Sequence, residues 1–249
     1  MKKSVKVLVA FIICLSIFLG FKTVSAKEVV YTNDNGVELD QNEFNFFKKV
    51  YGIRFLKYLD QDILDEFESV NFENPNVESN TVYASENNTM FQPRDNTFFS
   101  SPAKSITISK VVTNVFSRIY ITVNWLAEPN MKSYDDIGAY LDGPTRISTP
   151  VTHYYSTDES GFESAIKYDT HGYGAVVDIP TGQDVSITQN FAYTGTGVVY
   201  ASYQHAMTTS TLTIAQKFNI SAIGYGGVFD FYGEALDIYD DMNGVNISV

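Results

Sequence analysis

Three histidines, two aspartate doublets and one tyrosine-dense strand are the groups in this 249-residue chain that could do chemistry. His153, His171 and His205 are too scattered in sequence to form a local zinc-binding or triad pattern. A hydrolytic site needs a base hydrogen-bonded to a nucleophile, and a zinc site needs three or four converging donors. None of G-x-S-x-G, H-E-x-x-H or G-x-x-x-x-G-K-[ST] occurs. Cys14, the only cysteine, lies near the start, so a chain shortened past it has no thiol nucleophile, disulfide or thiolate metal ligand. No catalytic residue is assigned on these grounds.

Carboxylates come next. Asp135-Asp136 and Asp240-Asp241 are sequence neighbours, and neighbours on a strand point to opposite faces. Neither doublet alone therefore makes the pair that glycoside hydrolysis needs across a cleft, and the sequence neither selects nor rejects a cross-sheet pair such as Glu163 with Glu234. Asp34-Asn35-Gly36 and Asp241-Asn243-Gly244 have the look of EF-hand loops. With Gly36 in the sixth position, however, Tyr31 and Asn42 fall where the carboxylate ligands belong, and the Gly244 loop would run past the last residue. A looser calcium site at Asp240, Asp241 and Asn243 is the one cofactor candidate, set against ordinary turn capping by Asp and Asn.

Among the 17 tyrosines, Tyr200 and Tyr203, with His205 beside them and Tyr225 further on, are the candidate ligand-binding residues. A tyrosine ring has an apolar face and a polar tip, which suits stacking on sugars or contact with a protein; it suits a β core equally well.

The elements that must position these groups change character along the chain. Residues 27–69 are expected to form a small helical unit. Asp40 and Glu43 have the spacing of a capping box, Phe44, Phe47, Val50 and Tyr51 follow at helical period, Gly52 can close the helix, and Asp60 can cap a second one carrying Ile63, Leu64 and Phe67. Residues 70–103, rich in Asn, Ser and Thr, read as a linker that is partly packed, because Tyr83, Met90, Phe91, Phe98 and Phe99 are too apolar for a free tether. From Lys104 to residue 249 the period becomes two: Ile106 and Ile108; Ile119, Ile121, Val123 and Trp125; Val185, Ile187, Phe191 and Tyr193; Leu212, Ile214, Phe218 and Ile220. Strands without intervening helices predict a mainly β chain with an antiparallel β-sandwich or jelly-roll-like C-terminal domain. Gly172–Asp178 and Gly224–Asp230 echo one another, as two equivalent turn-then-strand elements would.

The first 26 residues have the form of a signal peptide: Lys2, Lys3 and Lys6, an apolar run from Val7 to Phe21, and Val24-Ser25-Ala26 as a small-residue cleavage site. The run is shorter than a membrane span, and Ile13 before Cys14 does not fit a lipobox. The expectation is a secreted, extracellular protein, cleaved after Ala26, with no integral span after cleavage. The formal charge is −12, and loss of Lys2, Lys3, Lys6 and Lys22 makes it more negative still. Such a surface disfavours nucleic acid as a partner.

Marks near both ends of the chain support a resemblance. They are Tyr31-Thr32-Asn33, Gly36-Val37 and Glu43-Phe44 early on, and Val199 to Ala206, Gly224 to Phe229 and Tyr239 to Val245 later. By these the chain resembles a group of uncharacterised secreted proteins of Gram-positive bacteria. The resemblance implies export from such a cell and carries no functional residues over. The reading is therefore a non-enzymatic binding or interaction module at the bacterial surface or in the medium, with cell-wall glycan or another surface protein as partner. The alternatives are an extracellular glycan or cell-wall hydrolase working through Asp and Glu, and a membrane-active toxin inserting the alternating run Met207–Ser221.

Overall fold

The computed structural model describes residues 28–84, 103–164, 167–169, 171–223, 227–240 and 244–249. The expected signal peptide, Tyr225, Asp241 and Asn243 lie outside the described residues.

A hairpin of two short strands, β1 (Tyr31–Thr32) and β2 (Glu38–Leu39), precedes the first helix. Its turn is held by Asn33, whose Oδ1 accepts the N–H groups of Asn35 and Val37 at 3.0 Å, with Gly36 at φ 80°. Helix α1 (Gln41–Tyr51) starts on the expected capping box: Asp40 Oδ1 accepts from the N–H groups of Asn42 and Glu43, and Glu43 Oε2 accepts the Asp40 N–H at 2.9 Å. Gly52 ends it at φ 83°. A 3-10 turn (Arg54–Tyr58) leads to α2 (Gln61–Asp65), capped by Asp60. Phe46, Phe47, Val50, Phe55, Leu56 and Phe67 are buried here together with Val77, Val111 and Tyr120. These helices therefore share their core with a sheet and do not enclose one of their own. Phe44, expected on the buried face, is only partly covered, 5.6 Å from Tyr31.

The sheets are built from β3 (Val77–Ala84), β4 (Lys104–Val112), β5 (Ser117–Trp125), β6 (Tyr134–Asp142), β7 (Thr145–Arg146), β8 (Val151–Tyr155), β9 (Ser160–Ser164), β10 (Lys167–Tyr168), β11 (Gly172–Asp178), β12 (Ser186–Thr194), β13 (Val198–Gln204) and, at the end of the chain, β16 (Val245–Ser248). One sheet of seven strands runs β3-β4-β5-β12-β8-β9, with β7 also on β12; one of five runs β10-β11-β6-β13-β16; the pairs are antiparallel. Their alternating apolar residues meet in one buried cluster. Ile106, Ile121 and Ile187 come from the larger sheet, and Ile137, Val177 and Val199 from the smaller. Strand β3 occupies eight residues of the stretch read as a linker and pairs with β4 over its full length. Its polar composition fits an edge strand, where most side chains face water.

The outer face of the smaller sheet is covered by a third layer. A short helix α3 (Leu212–Ala215) is followed by a separate hairpin, β14 (Phe218–Ile223) with β15 (Gly227–Phe231). Leu212 to Ala215 was expected to be strand; Thr211 instead accepts the Ile214 N–H at 3.3 Å and starts a helical turn. The hairpin comes close because β6 and β11 carry glycines beneath it. A Cβ on Gly174 would stand 2.7 Å from the Phe218 ring and 2.9 Å from that of Phe229, and one on Gly138 would meet the Tyr173 carbonyl oxygen at 2.4 Å. The two strands of the sequence echo thus differ in place: Gly172–Asp178 is inside the five-stranded sheet, while the described part of its counterpart belongs to the covering hairpin. No helix among the described residues is long and apolar enough to cross a membrane.

Candidate functional site

The β6–β13 register pairs Gln204 with Asp136 and so carries Asp135 opposite His205. Asp135 Oδ2 is 2.8 Å from His205 Nδ1 and also accepts the Tyr203 hydroxyl, while Oδ1 accepts the Ala206 N–H at 2.9 Å. Trp125 Nε1 donates to the Tyr203 oxygen at 3.0 Å. Lys104, opposite Trp125 in the β4–β5 ladder, is ion-paired with Asp240, whose other oxygen accepts the His205 N–H at 2.8 Å. The lysine's ammonium lies 5.2 Å from the Trp125 ring and 5.6 Å from that of Tyr203, a desolvated cation–π arrangement.

An aspartate orienting a histidine is half of a hydrolytic triad. Here it is sealed. Asp135 is fully buried, His205 is 1% exposed, and the imidazole packs against the Trp125 ring at 4.6 Å and 71°. The electrostatics are those of a structural bolt. Burial raises the Asp135 pKa, and the contacts to His205, Tyr203 and Ala206 only partly offset it. Burial pulls His205 down, but the hydrogen bond and charge of Asp135 carry it above the usual histidine range. Asp136, on the opposite face of β6, is held well above the aspartate range by burial and by the Asp135 charge.

The sequence-derived ligand face is corrected by this placement. Tyr203 and His205 are interior residues and cannot stack on a ligand. Tyr200, an odd number of positions from Tyr203, points to the other face of β13 and is half-buried under the hairpin, 6.5 Å from Tyr140. Tyr225 is outside the described residues. Of the calcium candidates, Asp240 has one carboxylate oxygen on Lys104 and the other accepting a backbone N–H, so both oxygens are already engaged; Asp241 and Asn243 are outside the described residues. Among the described residues no group of three His, Cys, Asp or Glu side chains could hold a metal ion. Glu234 sits beside Lys217 at 3.4 Å over the smaller sheet, whereas Glu163 is on β9 of the larger, so the two belong to different layers.

The open polar surface lies elsewhere. Between the N-terminal helices and the outer face of β8, β9 and β12 is a cleft of about 260 Å³, lined among others by Asp60, Asp62, Glu66, His153, Tyr155 and Phe162. Register explains the aromatic row: His153 pairs with Phe162 across β8–β9, and Tyr155 shares the face of His153 two residues on. The Phe162 ring is 6.3 Å from His153, and the His153 and Tyr155 rings lie near-parallel at 6.4 Å. Tyr155 is backed by Tyr58 at 5.4 Å and Phe55 at 5.2 Å. Phe162 is 67% exposed, an unusual state for so large an apolar ring. Partial burial lowers the His153 pKa against the pull of Asp60, so the ring is neutral near pH 7. Desolvation at the wall raises Glu66; Arg118, 3.3 Å away, opposes this, and Asp60 adds to it. Sequence reasoning singled out Asp60 as a helix cap and His153 as a histidine, and missed Asp62, Glu66, Tyr155 and Phe162, which only the tertiary fold brings together.

No protein-family model matches the chain, and no curated protein matches it. Among solved structures it is similar to the enzymatically active domain of tailspike protein 4 of bacteriophage CBA120. The identity is 16% and the TM-score 0.23, over 55% of this chain and 20% of that one, so this chain spans about a fifth of that structure's length.

Proposed function

We propose that this is a secreted, non-enzymatic binding module, exported from a Gram-positive cell. In this reading the two large sheets form a β-sandwich, and the ligand sits in the cleft between the N-terminal helices and β8–β9. The observation that carries the reading is the exposed Phe162 beside His153 and Tyr155, facing three carboxylates. An aromatic wall binds the apolar face of a ring or short chain, and Asp60, Asp62 and Glu66 select a cationic group on it. The cleft is slightly below the usual ~300–1,000 Å³ of small-molecule pockets, so it suits one sugar ring or one basic side chain, not a folded partner. An amino sugar of an extracellular glycan satisfies both requirements. Glucosamine oligomers titrated against the purified protein should bind, N-acetylated oligomers should bind more weakly, and Phe162→Ala should abolish both. Equal binding of charged and neutral oligomers would remove the role given to the carboxylates.

A second reading has a specific observation in its favour. Glu66 and Asp60 line the same cleft, and a glutamic acid held above its ordinary pKa is what general-acid cleavage of a glycan requires. Release of reducing ends from bound oligomers, lost in Glu66→Gln, would establish it.

A further inference from the structure

A second cleft opens on the same sheet face, beside the C-terminal end of α1 and towards β3 and β4. Its volume is about 180 Å³, and its lining includes Lys48, Lys49, Arg54, Thr81, Thr107 and Asn124; none of its described lining residues is Asp or Glu. That is unexpected in a chain with 29 acidic residues against 17 basic. We propose that this cleft binds a tetrahedral oxyanion, phosphate or sulfate.

Charge decides the sign. Lys48, Lys49 and Arg54 line the cleft and bring three positive charges. Asp184 removes one, bonding Arg54 Nη1 at 2.6 Å and Lys57. The C-terminal end of α1 removes about half a charge more. Its carbonyls are already engaged: Tyr51 accepts from Asn124 Nδ2 at 2.8 Å, and Val50 from Ser109 Oγ at 3.1 Å. A surplus of about one and a half positive charges is left at the cleft, with the Lys49 ammonium also donating to the Val77 carbonyl at 2.7 Å.

Geometry is also favourable. Asp184, on the loop before β12, holds a left-handed backbone at φ 55°, the only such non-glycine residue among those described. Its carboxylate grips Arg54 and Lys57, and its carbonyl accepts the Tyr58 hydroxyl at 2.7 Å. Strain of this kind persists only when the surroundings over-determine it, and here it fixes the guanidinium of Arg54, whose Nη2 also donates to the Leu126 carbonyl at 3.0 Å. The Thr81 and Thr107 hydroxyls hydrogen-bond each other at 2.9 Å across β3–β4, which leaves one O–H as a neutral donor on the floor. At ~30 Å³ per water the space holds about six waters, enough for a four-oxygen anion with part of its shell and too little for a nucleotide.

The test is titration of inorganic phosphate, and separately of sulfate, into the full protein at constant ionic strength, followed by amide chemical shifts. Saturable shifts confined to the end of α1, the turn to Arg54, β3, β4 and the end of β5 are expected, and Lys48→Glu should weaken binding about tenfold or more. Lys48 is exposed, so this variant keeps the fold; Lys217→Glu, a charge change in the covering layer beside Glu234, should leave the affinity within about twofold. Saturation by one anion and not the other would identify the group recognised. Equal weakening in both variants, or shifts that stay linear and dispersed to about 20 mM, a concentration that detects even millimolar affinity, would overturn the assignment. Phe162→Ala, which removes the wall of the other cleft, should leave anion binding intact.

Discussion

The interior bolt and the outer cleft contain the same kinds of side chain: aspartate, histidine, tyrosine and a second aromatic. They differ in what the polar atoms face. Around Asp135, the Tyr203 hydroxyl, the His205 imidazole and the Ala206 N–H are turned inward on one carboxylate, and Lys104 closes the far side on Asp240. Around Phe162, the carboxylates of Asp60, Asp62 and Glu66 and the edge of His153 open onto a space a ligand can enter. Catalytic-looking residue types therefore do not by themselves mark a site. A buried network made of them holds two sheets together, and the more ordinary residues at the surface are the ones able to meet another molecule.

Removing one partner from the bolt should produce the largest effect. Lys104→Met leaves Asp240 buried beside an apolar group, and breaking a buried pair in this way costs about 3–5 kcal/mol. Urea denaturation should show that loss, and a change below about 1 kcal/mol would mean that solvent reaches the pair. Next comes the covering hairpin. Gly174→Ala drives a methyl into the Phe218 and Phe229 rings and should cost about 1–3 kcal/mol, as overpacking does; a neutral result would show that the hairpin lifts off its sheet.

The bolt also sets a pH dependence. His205, Asp135 and Asp136 all have folded pKa values above their ordinary ones. The raised histidine contributes stability that is complete below its unfolded value of about 6.5 and is lost as pH rises through the folded one. The two raised aspartates weaken the fold as pH climbs above their unfolded value of about 4. Two groups run the other way: the Lys57 hydrogen bond lowers Asp184, whose contribution is lost as pH falls through its depressed folded value, and burial lowers His153, which weakens the fold below about 6.5 and offsets part of the His205 contribution. The melting temperature should therefore be higher near pH 5 than near pH 8, a range in which the carboxylates at ordinary values stay ionised. An inverse order would contradict the proton placement. The smallest stability effect belongs to the cleft: Phe162→Ala should shift unfolding by no more than about 0.5 kcal/mol while removing ligand binding.

Much of this arrangement was legible in the residues. The Asp40–Glu43 capping box, the Asp60 cap and the alternation of Ile119, Ile121, Val123 and Trp125 act within a few positions of one another, and local physics suffices to read them. Parity carried further information. Lys104 shares the face of Ile106 and Ile108, which puts a lysine inside the protein, and Tyr200 and Tyr203, differing in parity, could not share one ligand face. Strand β3 was hidden because an edge strand with one buried residue in eight has the composition of a loop. The cleft was hidden for a different reason. Asp62 and Glu66 on the helical side and Tyr155 and Phe162 on the sheet are about a hundred residues apart, and no local pattern announces that they meet.

The most direct measurement is calorimetric titration of glucosamine oligomers into the wild-type protein, Phe162→Ala and the double variant Asp62→Asn/Glu66→Gln, each checked for an unchanged melting temperature. Saturable binding to the wild type, abolished by loss of the ring and weakened at least tenfold by loss of the charges, is the expected result. Equal heats in all three proteins, or none in the wild type, would contradict a binding module that works through this cleft.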